Sequence, residues 1–186
     1  MITLVQLWMP IAGSAIAVFV LSSLVHMVLR WHEVDFRPLA NEDEVRAAIR
    51  RTNPGPGQYV VPHCAGMKAM QTPEMQQKFK EGPVGYVVLR SNGAINMGRP
   101  LGLWFLYVLA VGILLGYLAS RTLPAGTSAA GVFRLVATVA LLAYGGGSVQ
   151  AGIWMGKPWA SVMKDLLDAL IYAAATGVVF GLLYPH

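Results

Sequence analysis

Four side chains with acid–base or ligating chemistry stand inside otherwise apolar runs of this chain: His26, Ser148, Gln150 and Asp168. Lipid offers no water to satisfy polar groups, so these residues are expected to face inward and pair, with Ser22 or Ser23 adding a hydroxyl. A buried cluster of this kind suits proton relay or ligand binding. The plainer reading is interhelical glue, with Asp165 and Asp168 favouring the positive end of a helix N-terminus.

A second candidate lies in the polar part of the chain. His63, Cys64 and Met67 offer imidazole, thiolate and thioether, the donors that soft Cu(I) prefers, and Met70 and Met75 follow. Their spacing matches no specific motif, and methionine is also common in segments resting on a membrane. The alternative is therefore an ordinary interfacial loop.

Haem or another tetrapyrrole is the third candidate, with His26 as its ligand. His26 and His32 are six residues apart. On one continuous helix they point to nearly opposite sides and cannot clamp one iron. The later apolar runs contain no histidine, since His186 falls beyond them, so a partner for His26 would have to be a Met or a water. No glycine-rich phosphate loop, zinc spacing or Ser-His-Asp order of any specificity is present.

The elements that must position these residues follow from hydropathy. The chain has 186 residues, of which 55% are hydrophobic and 12% charged, and its mean hydropathy is +0.54. A soluble domain carries about 25% charged residues, so the long charge-free runs predict a polytopic membrane protein. The first span is residues 1–30, with Pro10 in a first helical turn and Arg30, Trp31 and His32 as its interfacial anchor. Three more are expected at about 101–120, 135–153 and 166–184. Gly145-Gly146-Gly147 is expected to loosen or bend the third, and Arg134 to snorkel from its start. Small residues four apart form packing stripes: Gly112, Gly116 and Ser120 on the second span, Ala143, Gly147 and Ala151 on the third, and Ala173, Gly177 and Gly181 on the fourth.

Between the first two spans lies a polar segment, 31–100. With Arg30 it holds ten of the fourteen Lys and Arg residues, and it holds seven of the nine acids. It reads as a small α+β cap. Asn41 caps a helix that Asn53-Pro54-Gly55 stops, and Thr72-Pro73 starts a second helix ending at Gly82. Gln58–Pro62 is extended. Val84–Arg90 and Ala94–Met97 form a hairpin about Ser91-Asn92-Gly93. Basic residues counted on the two sides of the four spans put the cap in the cytoplasm and both termini outside. The net charge of +5 suits anionic lipid and needs no nucleic acid. A single cysteine makes no internal disulfide.

Ser22-Ser23-Leu24-Val25-His26-Met27 running into Trp31-His32, then Asn41-Glu42-Asp43-Glu44, resembles a family of small multi-pass bacterial inner-membrane proteins. Gly82-Pro83-Val84-Gly85 and Met97-Gly98 extend the likeness over most of the chain. It implies the architecture and the bacterial inner membrane, and it implies no activity. The expectation is an all-α four-helix transmembrane bundle with a small α+β insert. Its expected role is a non-enzymatic accessory or scaffold subunit that meets other membrane subunits or its own copies. The alternatives are redox, copper or haem handling through His26 or His63 and Cys64, and a small oligomeric transporter.

Overall fold

The computed structural model describes residues 2–185, so the terminal His186, expected beyond the last span, lies outside the described residues. Four helices are long and apolar enough to cross a membrane: Leu4–Leu29, Gly98–Thr122, Ala129–Met155 and Trp159–Leu183. The first is composite. A 3-10 turn (Leu4–Leu7) leads into α1 (Trp8–Leu24), and a π turn (Val25–Leu29) ends it. The others are α5 (Gly98–Thr122), α6 (Ala129–Met155) and α7 (Trp159–Leu183), with the short helices α2 (Glu42–Thr52), α3 (Met67–Met70) and α4 (Pro73–Glu81) in the insert.

Two compact units divide the chain, Met1–Phe36 with Asn96–His186, and Arg37–Ile95. In the first unit α7 packs extensively on α6, and α1 packs on both α7 and α5. Backbone proximity explains this order. A Cβ at Gly116 would stand 2.8 Å from Ile11 Cδ1, and one at Gly112 3.3 Å from the Ile11 carbonyl oxygen. The Gly112–Gly116–Ser120 stripe therefore receives α1. Gly177 and Gly181 receive α6 in the same way, at Phe133, Ala137 and Ala129. Close approach lets dispersion replace the hydrophobic drive that lipid removes. Leu7, Val18, Val132, Val136 and Phe180 fill the core.

The third stripe departs from expectation. Ala143 and Gly147 are exposed, Ala151 is half-buried, and nothing lies within 4 Å of a Cβ at Gly147. The face of α6 that meets α7 is offset, through Gly145 and Gly152, which touch Leu166, Ala169 and Val162. The glycine triplet does not break α6, which is helical from Ala129 to Met155. Its first glycine is where the helices come together, so packing supplies what propensity withholds. Both α6 and α7 begin earlier than hydropathy predicts. Asp165 and Asp168 thus lie in the second and third turns of α7 rather than at its N-terminus, and Arg134 lies in the second turn of α6.

In the second unit α2 (Glu42–Thr52) ends at Asn53, whose φ of 44° is left-handed. Its N-cap Asn41 does not cap the backbone; its amide donates to Glu44. Helix α4 (Pro73–Glu81) is capped by Thr72, whose hydroxyl accepts from the Met75 amide. The expected hairpin about Asn92-Gly93 does not form. β2 (Gly85–Leu89) pairs antiparallel with β1 (Gly57–Val61), Tyr59 opposite Val87. The β-branched run of β1 offers β2 better cross-strand partners than Ala94–Met97 does. That segment carries no strand, and Ile95 is 92% exposed.

Candidate functional site

The site is built where the first span ends. Arg30 donates its amide to the Val25 carbonyl, 3.1 Å, closing the π turn, and takes a left-handed φ of 53°. That single residue reverses the chain. Trp31 and His32 fold back along the helix end, and a 3-10 turn (Glu33–Asp35) follows. His26 and His32 therefore do not point apart as a continuous helix would dictate. Their rings stack with centroids 5.0 Å apart and planes 10° from parallel. Arg30 also pairs with Glu33.

Four charged side chains join this turn to α7. His32 Nε2 donates to Asp168 Oδ2 and His32 Nδ1 donates to Asp35 Oδ2, each at 2.8 Å. Lys164 Nζ donates to Asp35 Oδ1 at 2.7 Å and to the Trp31 carbonyl at 2.8 Å. Asp35, His32 and Asp168 expose only 10%, 17% and 8% of their side chains. Burial is the largest influence on His32 and lowers its pKa. Hydrogen bonds to Asp168 and Asp35, with their charges, outweigh it, and the imidazole titrates above its ordinary value. Lys164 holds the Asp35 carboxyl down to about 2 against desolvation, and His32 and Ser161 add to that pull. With Lys164 and His32 positive and Asp35 and Asp168 negative, the network is neutral. It ties the segment after the first span to the fourth span.

His26 stands beside this network and outside it. Its Nδ1 lies 2.9 Å from the Ser22 carbonyl oxygen, which can only accept, so Nδ1 carries the proton. In the neutral ring, Nε2 then presents a free lone pair. It lies 3.9 Å from Asp168 Oδ2, and the side chain is 52% exposed. His26 Nε2, His32 and Asp168 place their ligand atoms within 4.8 Å of one another, the one such group of three His, Cys, Asp or Glu among the described residues.

Three buried polar side-chain atoms among the described residues have no hydrogen-bond partner: Trp31 Nε1, Asp168 Oδ1 and Tyr172 Oη. All three belong to this neighbourhood. Asp168 is in the cluster, Trp31 packs edge-on against His32, and Tyr172 is one turn along α7. Native interiors rarely leave such atoms unpaired, and where they do a ligand site is one cause. A groove of about 450 Å³, walled by Ser22, His26, Met27, Leu101, Trp104 and Tyr172 among others, opens beside His26.

The other expected site residues fall elsewhere. Gln150 is exposed and is no part of the cluster. Ser148 hydrogen-bonds Asp165, which Lys157 also pairs with, so it belongs to a second polar contact between α6 and α7. Ser22 and Ser23 both donate to the Phe19 carbonyl, and Ser22 accepts from Trp104 Nε1 at 2.8 Å. In the insert, Cys64 Sγ donates to the Gly66 carbonyl at 3.3 Å, while His63 and Met67 are exposed. His63 and Cys64 join no ligand cluster among the described residues. The two histidines are nonetheless no haem clamp. Imidazole lone pairs lie in the ring plane, so two face-to-face rings do not aim at each other across a haem iron. They direct their edges toward Asp168 instead.

Sequence reasoning missed His32, Asp35 and Lys164. Each is polar at a span boundary, where charge is ordinary. A partial signal was present in the Asp35–His32 spacing of three, which suits a helical ion pair.

No family model, curated protein or solved structure matches the chain. Its four apolar helices define it as an integral, multi-pass membrane protein.

Proposed function

We propose that this protein is a metal-handling membrane protein that holds a divalent first-row transition ion between His26, His32 and Asp168. The observation that carries this reading is the convergence of two imidazole edges on a buried carboxylate whose second oxygen is unpartnered. Two imidazoles and one carboxylate form a donor set for zinc or iron, and three protein ligands leave a coordination position open. Both imidazoles are also held from behind. Ser22 fixes the His26 tautomer and Asp35 holds His32 Nδ1–H, the carboxylate–histidine arrangement common behind metal ligands. Binding replaces the proton shared by His32 Nε2 and Asp168 Oδ2. With metal–ligand bonds of about 2.0–2.1 Å, the 2.8 Å separation opens to roughly 3.4 Å at a tetrahedral angle. A metal lies in the plane of each imidazole that binds it, so half-exposed His26 must also swing its ring out of the stack with His32 to close the remaining distance.

Titration of the purified protein with Co(II), which absorbs in the visible when bound by nitrogen and oxygen donors, tests this reading. One equivalent displaceable by Zn(II) is the expected result, and no stoichiometric binding overturns it. We place the protein in a bacterial inner membrane, with the insert cytoplasmic and both termini outside, on the family resemblance and the basic-residue asymmetry. The accessory-subunit reading has its own support in the outward Ala143–Gly147–Ala151 stripe of α6, a surface on which a helix of another subunit or a second copy could pack closely.

A further inference from the structure

The insert has no dry core. No residue from Arg37 to Ile95 is buried, although α2 and the two strands carry apolar side chains. Several of these line one cleft of about 470 Å³: Ile49, Thr52 and Pro54 from α2 and its end, and Tyr59, Val87 and Leu89 from the sheet. The two hydroxyls among them turn to the backbone, Thr52 donating to the Ile49 carbonyl at 2.8 Å and Tyr59 to the Gly55 carbonyl at 2.6 Å. A unit this small has little buried surface to spare, so an apolar occupant of the cleft would stabilise it. A smaller pocket of about 160 Å³ adjoins the cleft, sharing Ile49, Pro54 and Leu89 as walls. Its own lining is basic: Arg50 and Arg90 supply two guanidiniums, Asn53 and Asn92 add carboxamides, and no acid is present. No ion pair among the described residues involves either arginine. The acids of α2 stand at its other end, in the first turn. Arg50 lies in the last turn of α2, where a cation suits the helix dipole. That does not account for Arg90, one residue beyond β2.

We infer that the insert binds an anionic lipid with a phosphate-monoester headgroup, its phosphate held by Arg50 and Arg90 and an acyl chain lying in the cleft of α2 and the sheet. Charge selects the head. A phosphate monoester carries about −1.5 to −2 at neutral pH, which two guanidiniums balance through forked, charge-assisted hydrogen bonds. A carboxylate or a phosphodiester brings less charge. The adjoining apolar wall selects the tail, because a free phosphate would leave it open to water. Bilayer lipid is the source, since both ends of the insert are joined to membrane spans and lipid is the amphiphile it meets in greatest supply. The site lies wholly within the insert and does not depend on a bound metal ion.

The test is isothermal titration of the full-length protein in a neutral detergent with dioctanoyl phosphatidic acid, beside hydrogen–deuterium exchange of the same complex. Wild type should bind one equivalent, with slower exchange in α2, β1 and β2. Arg90→Gln, an exposed substitution that removes one charge, should bind about tenfold more weakly with the same thermal unfolding profile. Val87→Trp, which fills the cleft with a residue suited to a strand, should weaken binding at least as much. Dioctanoyl phosphatidylcholine, with the same chains and no net charge, and glycerol phosphate, with the head and no chains, should each bind at least tenfold more weakly than the phosphatidic acid. Equal affinity for phosphatidylcholine overturns the inference, because the site would then be one for any lipid chain. Equal affinity for glycerol phosphate, or undiminished binding by Val87→Trp, overturns it because the cleft would then hold no chain. Equal affinity in wild type and Arg90→Gln, or exchange slowed in the spans alone, overturns it as well.

Discussion

His26→Ala separates a metal ligand from a structural clasp, because His26 is the one member of the ligand group outside the ion-pair network. Its imidazole makes one hydrogen bond, to the Ser22 carbonyl of its own helix, and is 52% exposed. Removing it costs about 1–1.5 kcal/mol of stability, the net value of one such bond together with its loose stacking on His32. His32, by contrast, bridges two carboxylates. Substituting it leaves Asp168 and Asp35 short of a cation, and breaking buried pairs of this kind costs about 3–5 kcal/mol before solvent screening reduces it. Loss of metal binding in a His32 variant would thus say nothing about ligation. For His26→Ala the two effects diverge. Mutating residues that merely orient ligands lowers metal affinity about 10–100-fold. Losing a ligand should cost no less than the upper end of that range, or about 2.8 kcal/mol at 1.4 kcal/mol per decade. Isothermal titration with Zn(II) beside thermal unfolding in the same detergent measures both. The expected result is a Kd raised at least 100-fold with an almost unchanged unfolding temperature. An unchanged Kd refutes the three-ligand geometry, and a large loss of stability refutes the account of His26 as independent of the clasp.

Further outcomes follow from packing and charge. A Cβ at Gly177 would stand 2.8 Å from Phe133 Cδ2 and 2.9 Å from Ala137 Cβ, so Gly177→Ala should destabilise the α6–α7 pair by about 1–3 kcal/mol. Gly147→Ala meets open space and should stay within about 0.5 kcal/mol of wild type; equal effects in thermal unfolding would show that the helix faces are wrongly assigned. Gly147→Leu should leave the isolated bundle folded while releasing any partner helix that co-purifies in mild detergent, and retention of the partner counts against the outward stripe as its docking face. Asp35 titrates at about 2 in the folded protein and near 3.9 when unfolded. Its pKa is depressed, so its stabilising contribution is full above about pH 4 and is lost as pH falls toward 2. Lys164→Met removes the main cause and should flatten that acid limb; an identical limb in the variant contradicts the assignment.

What the chain's sequence settles by itself is the architecture, and the reason is lipid. Long uncharged runs have only one way to satisfy their backbone in a bilayer, so four helical spans and a polar insert are legible from composition alone. Two of the three packing stripes are legible for a similar reason, since Gly116 and Gly177 stand where close approach admits no side chain. The third stripe is not, because spacing identifies a face and never says which neighbour it meets. The site required tertiary structure more completely. His26 and Asp168 are conspicuous in sequence as polar groups at lipid depth. That His32 is their neighbour depends on one left-handed residue, Arg30, which reverses the chain and replaces helical periodicity with a turn. Asp35 and Lys164 then follow His32 inward, though each alone reads as an ordinary boundary charge. A helical wheel puts His26 and His32 about 120° apart around the axis, and the fold stacks their rings at 5.0 Å. Periodicity is local, and this site is made where the periodicity ends.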